Sequence, residues 1–413
     1  MTTRADDEPI SPQPLGWRDI LFRPEHLAFA IPGFIGRLPL AMRALSCILL
    51  IQGITGEYGL AGLVGASQTL VSAFASPRIG QLADRHGTRP VLTIALIVQT
   101  VGVIALIALA YADAAAPFLL LAAAVIGGSS VPFGSFSRSR WPQHVARGRD
   151  LDRAYALEGV FEEISFIVGP ALAVVLSVEV SPPLGLIVAL VMTAIASIGM
   201  IRLPELARHG PSTATPDSTS LLRNPTILLM AGTGIGMGIV FGSIEISLVA
   251  FAEEMGSEGM ASVLIAIFTV GSLVAAIAYG VVSLSQPLRL RVLVAVAWVG
   301  LWMIPTALAE SMTAMIVCVL FAGIGISPWA ISGSSLIERG VPPNALKEGF
   351  GWFSAAVSSG AALGAMIGGL AIDAWSSNGG QAVSIAGGVV AIAIAVLGQR
   401  RMAAVEGSRS LIT

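Results

Sequence analysis

Long apolar runs and short polar connections alternate along the chain twelve times, at residues 27–51, 59–79, 90–111, 117–138, 154–178, 183–201, 225–251, 260–283, 291–309, 312–337, 349–372 and 382–398. Each run has about 20 residues or more, enough for a helix to cross a hydrocarbon core of roughly 30 Å. No run alternates polar and apolar positions two by two, as the strands of a membrane barrel must. The pattern therefore predicts an all-α integral membrane protein with twelve transmembrane helices. The first run is too long and too rich in arginine for a cleaved signal peptide, so it is expected to remain as a helix.

Composition agrees: 55% hydrophobic residues, 12% charged residues and a mean hydropathy of +0.83 exclude a water-soluble chain. Charge adds orientation. All but Arg37 and Arg43 of the 23 Lys and Arg residues lie in alternate connections or in the two tails, and the intervening connections carry acids alone. Basic connections are retained in the cytoplasm, so both termini are expected there. Cys47 and Cys318 fall inside apolar runs and are read as packing residues.

The longest connection, 202–224, mixes Pro204, Gly210, Pro211 and Pro216 with Ser and Thr, the composition of a flexible linker. It separates a cytoplasmic N-terminal tail (1–26) and first six-helix half (27–201) from a second half (225–398) and a C-terminal tail (399–413). The halves resemble each other: Gly80 and Val91-Leu92 correspond to Gly280 and Val292-Leu293, and Pro132-Phe133 to Pro328-Trp329. Two six-helix halves of matching orientation suit a parallel repeat about an axis normal to the membrane.

The connection after the second run reads Gly80-Gln81-Leu82-Ala83-Asp84-Arg85-His86-Gly87-Thr88-Arg89-Pro90. It resembles the signature of the major facilitator superfamily, at the place where that family carries it, although Thr88 stands where a basic residue is usual. With the twelve runs and central linker, the resemblance covers essentially the whole chain and is greatest to bacterial drug and metabolite exporters. It implies a transporter, functional as a monomer, whose halves rock around a central cavity. It also implies a cytoplasmic gate formed by Gly80, Asp84, Arg85, Gly87 and Arg89, with Asp84 meeting the start of the eleventh helix near 347–351. Gly169-Pro170 in the fifth run partly matches an antiporter pattern and favours export, although a kinked packing face would use the same residues. Small residues at Gly360, Gly364 and Gly368, and at Gly62 and Ala66, suit the interface between the halves.

Charges inside apolar helices are costly and mark candidate machinery. Glu158, Glu162, Ser165 and Gly169 share one face of the fifth helix, and Glu163 points about 100° away. Glu162 and Arg37 are the preferred proton-coupling pair, with Glu163 next in line, because an acid that meets and leaves an arginine can load and release a proton. A permanent salt bridge is the alternative. Glu158 is expected to pair with Arg153 or another cytoplasmic arginine. Arg43 and Glu245, on corresponding helices of the two halves, are candidates for an outer gate in the inward-open state, or else are solvated separately.

The resemblance places the cavity between helices one, four, seven and ten, which makes Ser130, Phe133, Phe241, Trp329 and Ser332 candidate lining groups. Hydroxyls and aromatics without dense charge suit a neutral or amphipathic small molecule. No phosphate loop surrounds the single lysine, Lys347, and the four histidines have no metal-site spacing, so ATP, metal and other cofactors are not expected. Nor is an enzymatic site or a nucleic-acid surface. The resulting expectation is a proton-coupled exporter of small organic molecules in a bacterial inner membrane, surrounded by lipid. A proton-linked uptake symporter is the alternative, and a non-transporting receptor or scaffold a remote one.

Overall fold

The computed structural model describes residues 20–407 except 21, 205–220, 222, 258, 283 and 285. The expected linker lies mostly outside the described residues, as does most of the N-terminal tail. Every regular element among the described residues is helical. The first half contains α1 (Pro24–Thr55), α2 (Tyr58–His86), α3 (Thr88–Tyr111), α4 (Ala116–Gly128), α5 (Phe133–Arg138), α6 (Arg149–Val174) and α7 (Leu184–Arg202). The second contains α8 (Pro225–Glu254), α9 (Met260–Val281), α10 (Leu288–Ala307), α11 (Met312–Gly323), α12 (Ile326–Gly340) and α13 (Leu346–Gly407).

Among the described residues, ten segments are long and apolar enough to cross a membrane. The chain is a multi-pass membrane protein. Its outer surface is apolar, with Leu301 and Leu370 exposed by 59% and 68%, as lipid-facing residues would be. The 62-residue α13 is interrupted at Trp375 and Ser376, whose backbone leaves the helical region, and Ser376 has φ 55°. Glu254, at the end of α8, accepts from the Ser377 backbone N–H at 2.6 Å and from its Oγ at 2.7 Å, which ties that reversal down. The expected C-terminal tail is helical as far as Gly407.

The fourth and tenth apolar runs are each broken in two. Pro132, which has no N–H to give, precedes α5, and Pro328 lies just past the α11–α12 break. Carbonyls near the first break are met by side chains: Ser129 Oγ donates to Val125 O at 2.9 Å and Ser130 Oγ to Ile126 O at 3.0 Å. Broken helices are tolerated at membrane depth where neighbours satisfy the freed backbone in this way.

Glycines set the closest helix contacts. A Cβ on Gly360 would lie 2.3 Å from Ile235 O, one on Gly364 2.3 Å from Ile239 O, and one on Gly242 1.9 Å from Ala361 O. The Gly360, Gly364 and Gly368 stripe thus seats α13 on α8 inside one half, which corrects its expected place between the halves. Gly62 has no neighbour within 4 Å of a Cβ position. The four-residue spacing signals close packing but does not name the partner. Contacts between the halves run instead through Gly80, whose Cβ position is 2.8 Å from Lys347 O, and Gly351, 2.9 Å from Pro77 Cα. The left-handed Gly87, φ 97°, makes the tight turn from α2 to α3.

Candidate functional site

A buried charge cluster lies inside the first half, between α1, α5 and α6. The Arg37 guanidinium pairs with Glu158, both almost wholly enclosed. Oε1 of the same carboxylate accepts from Ser137 Oγ and, at 2.7 Å, from Trp141 Nε1. Gly134 makes room for the guanidinium: a Cβ there would sit 3.1 Å from Nη2 and 3.2 Å from Nε. Arg37 Nε and Nη1 have no hydrogen-bond partner among the described residues.

This arrangement corrects two expectations. Arg37 meets Glu158, not Glu162, because long helical side chains lean toward the helix N-terminus and so reach one turn nearer the start of α6 than Cα heights suggest. Glu158 in turn does not pair with Arg153, whose Nε donates to Gly280 O at 3.1 Å. Because α6 starts at Arg149, five residues earlier than expected, Glu158 is deeper than an interfacial residue. Glu162, with a side chain 38% exposed, pairs with Arg138 of α5. Glu163 accepts from Ser272 Oγ of α9, which is also within 2.8 Å of Ser327 Oγ on α12. A titratable acid thus sits directly on the contact between the halves.

Arg43 and Glu245 are not joined. Arg43 is enclosed in its own half beside Cys47, with 2% exposure, and Glu245 is exposed on α8. Similar heights on corresponding helices leave the facing of the two side chains undetermined.

One end of the bundle, the basic end that carries the α2–α3 turn, is laced together by polar contacts between the halves. Asp84 Oδ1 accepts from Lys347 Nζ at 2.9 Å and its Oδ2 from the Glu348 backbone N–H at 3.1 Å, at the first turn of α13. Arg85 and Arg89 flank this contact, both exposed. Asp152 accepts from Arg291 Nη1 at 2.8 Å and from Ser335 Oγ at 2.7 Å. Arg147 Nε donates to Glu338 Oε1 at 2.9 Å. The deepest side-chain hydrogen bond found between the halves among the described residues is Glu163 with Ser272. Asp152 and Glu338 were not singled out in the sequence, since each looks like an ordinary charge of a basic connection.

Each of the expected lining residues has a contact of its own. Ser130 bonds to its own helix, Phe133 packs on Gly36, and Ser332 Oγ lies 2.9 Å from Tyr279 OH. Trp329 is buried with its Nε1 donating to Thr233 Oγ1 at 3.4 Å, and half-buried Phe241 lies edge-on to it with ring centroids 6.5 Å apart. Gly169 in α6 seats that helix on α1, where its Cβ position would be 2.7 Å from Ala41 Cβ. Pro170 follows it inside the helix.

Residues 38–283 match the family model described as Major Facilitator Superfamily. The chain belongs to this superfamily. Solved superfamily folds resemble it over nearly its full length. The human organic anion transporter MFSD10 (TETRAN) aligns with TM-score 0.71 and 15% identity, covering 91% of this chain and 100% of that one. A bacterial homologue of the iron transporter ferroportin, in an outward-facing state, aligns with TM-score 0.72 and 14% identity over 90% and 98%. The E. coli fucose:proton symporter aligns with TM-score 0.71 and 12% identity over 91% and 99%. No curated protein matches the sequence. At such identities these likenesses establish the transporter fold of the superfamily member, and neither a substrate nor a direction.

Proposed function

We propose that the protein is a secondary active transporter that exports a small organic molecule in exchange for protons, by alternating access, as a monomer in a bacterial inner membrane. Counting α2 and the two arms of α13 separately brings the spans to twelve, and the distribution of arginines assigns the basic end to the cytoplasm. The observation that carries this reading is the lacing of the halves at one end, among the described residues. Asp84, Asp152, Glu338 and Glu163 each bond across the seam from the basic end inward. A pair of halves held at one end by a few exchangeable polar contacts can rock open there once those contacts are replaced at the other end.

Glu163 is the leading proton carrier in this scheme, and Glu162 the second. Its carboxylate has a hydroxyl partner but no ion pair among the described residues, so nothing holds it permanently charged. Parting of the halves removes Ser272 and opens the acid to the opposite side. Arg37, held by Glu158, acts as a fixed structural charge. The Gly169-Pro170 seat of α6 on α1 and the antiporter-like sequence around it support export, and the aromatic group of Phe241 and Trp329 supports an amphipathic substrate.

The test is flux in proteoliposomes under an imposed pH gradient, with a ligand first found by a thermal-stabilisation screen. Glu163→Gln is expected to abolish gradient-driven accumulation while preserving ligand exchange. Accumulation with the proton gradient rather than against it would make the protein a symporter, and full gradient-driven flux in Glu163→Gln would remove that residue from the mechanism.

A further inference from the structure

At the basic end, between the start of α6 and the α9–α10 connection, lies a cleft of about 360 Å³. Four arginines line it, Arg149 and Arg153 from the first half and Arg291 and Arg339 from the second. Asp152 is the acid among its lining residues, and both its oxygens are already engaged, by Arg291 and Ser335. Arg153 is occupied with Gly280 O and lies 4.0 Å from Asp150, and Arg291 donates also to Gln286 O, Leu284 O and Tyr279 OH, so these two are held in the wall of the cleft. Arg149 and Arg339 make no hydrogen bond or ion pair among the described residues, so the cleft keeps an excess of positive charge with guanidinium donors to spare. Guanidinium groups match phosphate oxygens in a two-pronged geometry.

A second cavity of about 390 Å³ adjoins the first, sharing Tyr279, Leu284, Gln286 and Arg291 with it. Its other walls are apolar. It follows α10 from Leu290 past Val294 to Trp298 and ends at Gly325 and Pro328, by the α11–α12 break. Leu290 to Trp298 covers about 12 Å along the helix axis, directed from the basic end into the apolar band. A soluble anion would fill the arginine cleft and leave this groove empty. An amphiphile with a phosphate at one end fills both.

We infer that an anionic phospholipid binds here, with its phosphate among Arg149, Arg153, Arg291 and Arg339 and one acyl chain along Leu290, Val294 and Trp298. The site goes beyond the proposed export activity and depends only on the basic end lying at a membrane surface. Because the arginines come from both halves, the bound phosphate bridges them and favours the arrangement with the basic end closed.

Native mass spectrometry of the purified full chain tests this, with phosphatidylglycerol, phosphatidylcholine and inorganic phosphate as separate probes. Phosphatidylglycerol is expected to be retained selectively. Each interfacial arginine contributes about fivefold in affinity, so Arg149→Gln with Arg339→Gln lowers phosphatidylglycerol affinity about thirtyfold. Arg149→Lys with Arg339→Lys, which keeps the charge, retains most of it. Val294→Trp, which fills the groove, weakens lipid retention, and unchanged thermal unfolding of each variant separates these effects from misfolding. Equal retention of phosphatidylcholine would overturn the role of charge. Full competition by inorganic phosphate, with Val294→Trp harmless, would make the site one for a soluble anion and overturn the lipid. No retention above the level of non-selective lipid would overturn the site altogether. None of these readouts uses transport, so they stand or fall separately from the export reading.

Discussion

Glu158 binds three neighbours at once, Arg37, Ser137 and Trp141, and none of them is near it in sequence. Glu158→Ala leaves Arg37 enclosed without a counter-charge and is expected to destabilise the protein by about 3–5 kcal/mol, read as a fall in the thermal midpoint of the purified protein. Arg37→Met combined with Glu158→Met should recover most of that loss, because a buried ion pair with unmet donors is often replaceable by apolar groups at little cost. Glu162→Gln takes the counter-charge from Arg138, which is 8% exposed, but acts at a carboxylate that is itself 38% exposed, so it should lower the thermal midpoint less than Glu158→Ala does. The sequence marked Arg37, Glu158, Glu162 and Glu163 as charges inside apolar helices, which is where they lie. It misassigned the partners, since one residue's height on a helix axis contains neither side-chain lean nor the angle between helices.

Among the elements, apolar length and the alternation of basic and acidic connections were enough to locate the helices to within a few residues at most ends. The breaks were less legible. Pro132 and Pro328 mark them, but a proline can equally kink a continuous helix, and only the neighbours that satisfy the freed carbonyls decide between the two. The α13 glycines repeat the lesson: the spacing announces a close contact, and the tertiary structure chooses α8. Gly360→Leu should therefore destabilise by at least about 1–3 kcal/mol, because its side chain meets the backbone of Ile235. Gly62→Leu, with open space around its Cβ position, should stay within about 0.5 kcal/mol of the parent. Thermal unfolding of the two variants side by side checks the contrast, and equal losses would show that the stripe is not what seats the two helices.

At the scale of the whole molecule, the closed basic end rests on few side chains. Asp84→Asn keeps an acceptor for the Glu348 N–H but loses the charge that holds Lys347, and is expected to raise alkylation of cysteines engineered into the basic-end mouth while lowering flux. Unchanged labelling would leave Asp84 a local turn residue. The two copies of the motif are fastened differently. Between α2 and α13 the acceptor is a carboxylate, Asp84, whereas at Gly280, the counterpart of Gly80 in the second half, Arg153 is received by a backbone carbonyl. A carboxylate can be lost by a single mutation, but every residue type brings a main-chain oxygen. Sequence drift could therefore erode the residue at Gly280 without removing the oxygen that receives Arg153, whereas any change at Asp84 alters the acceptor itself.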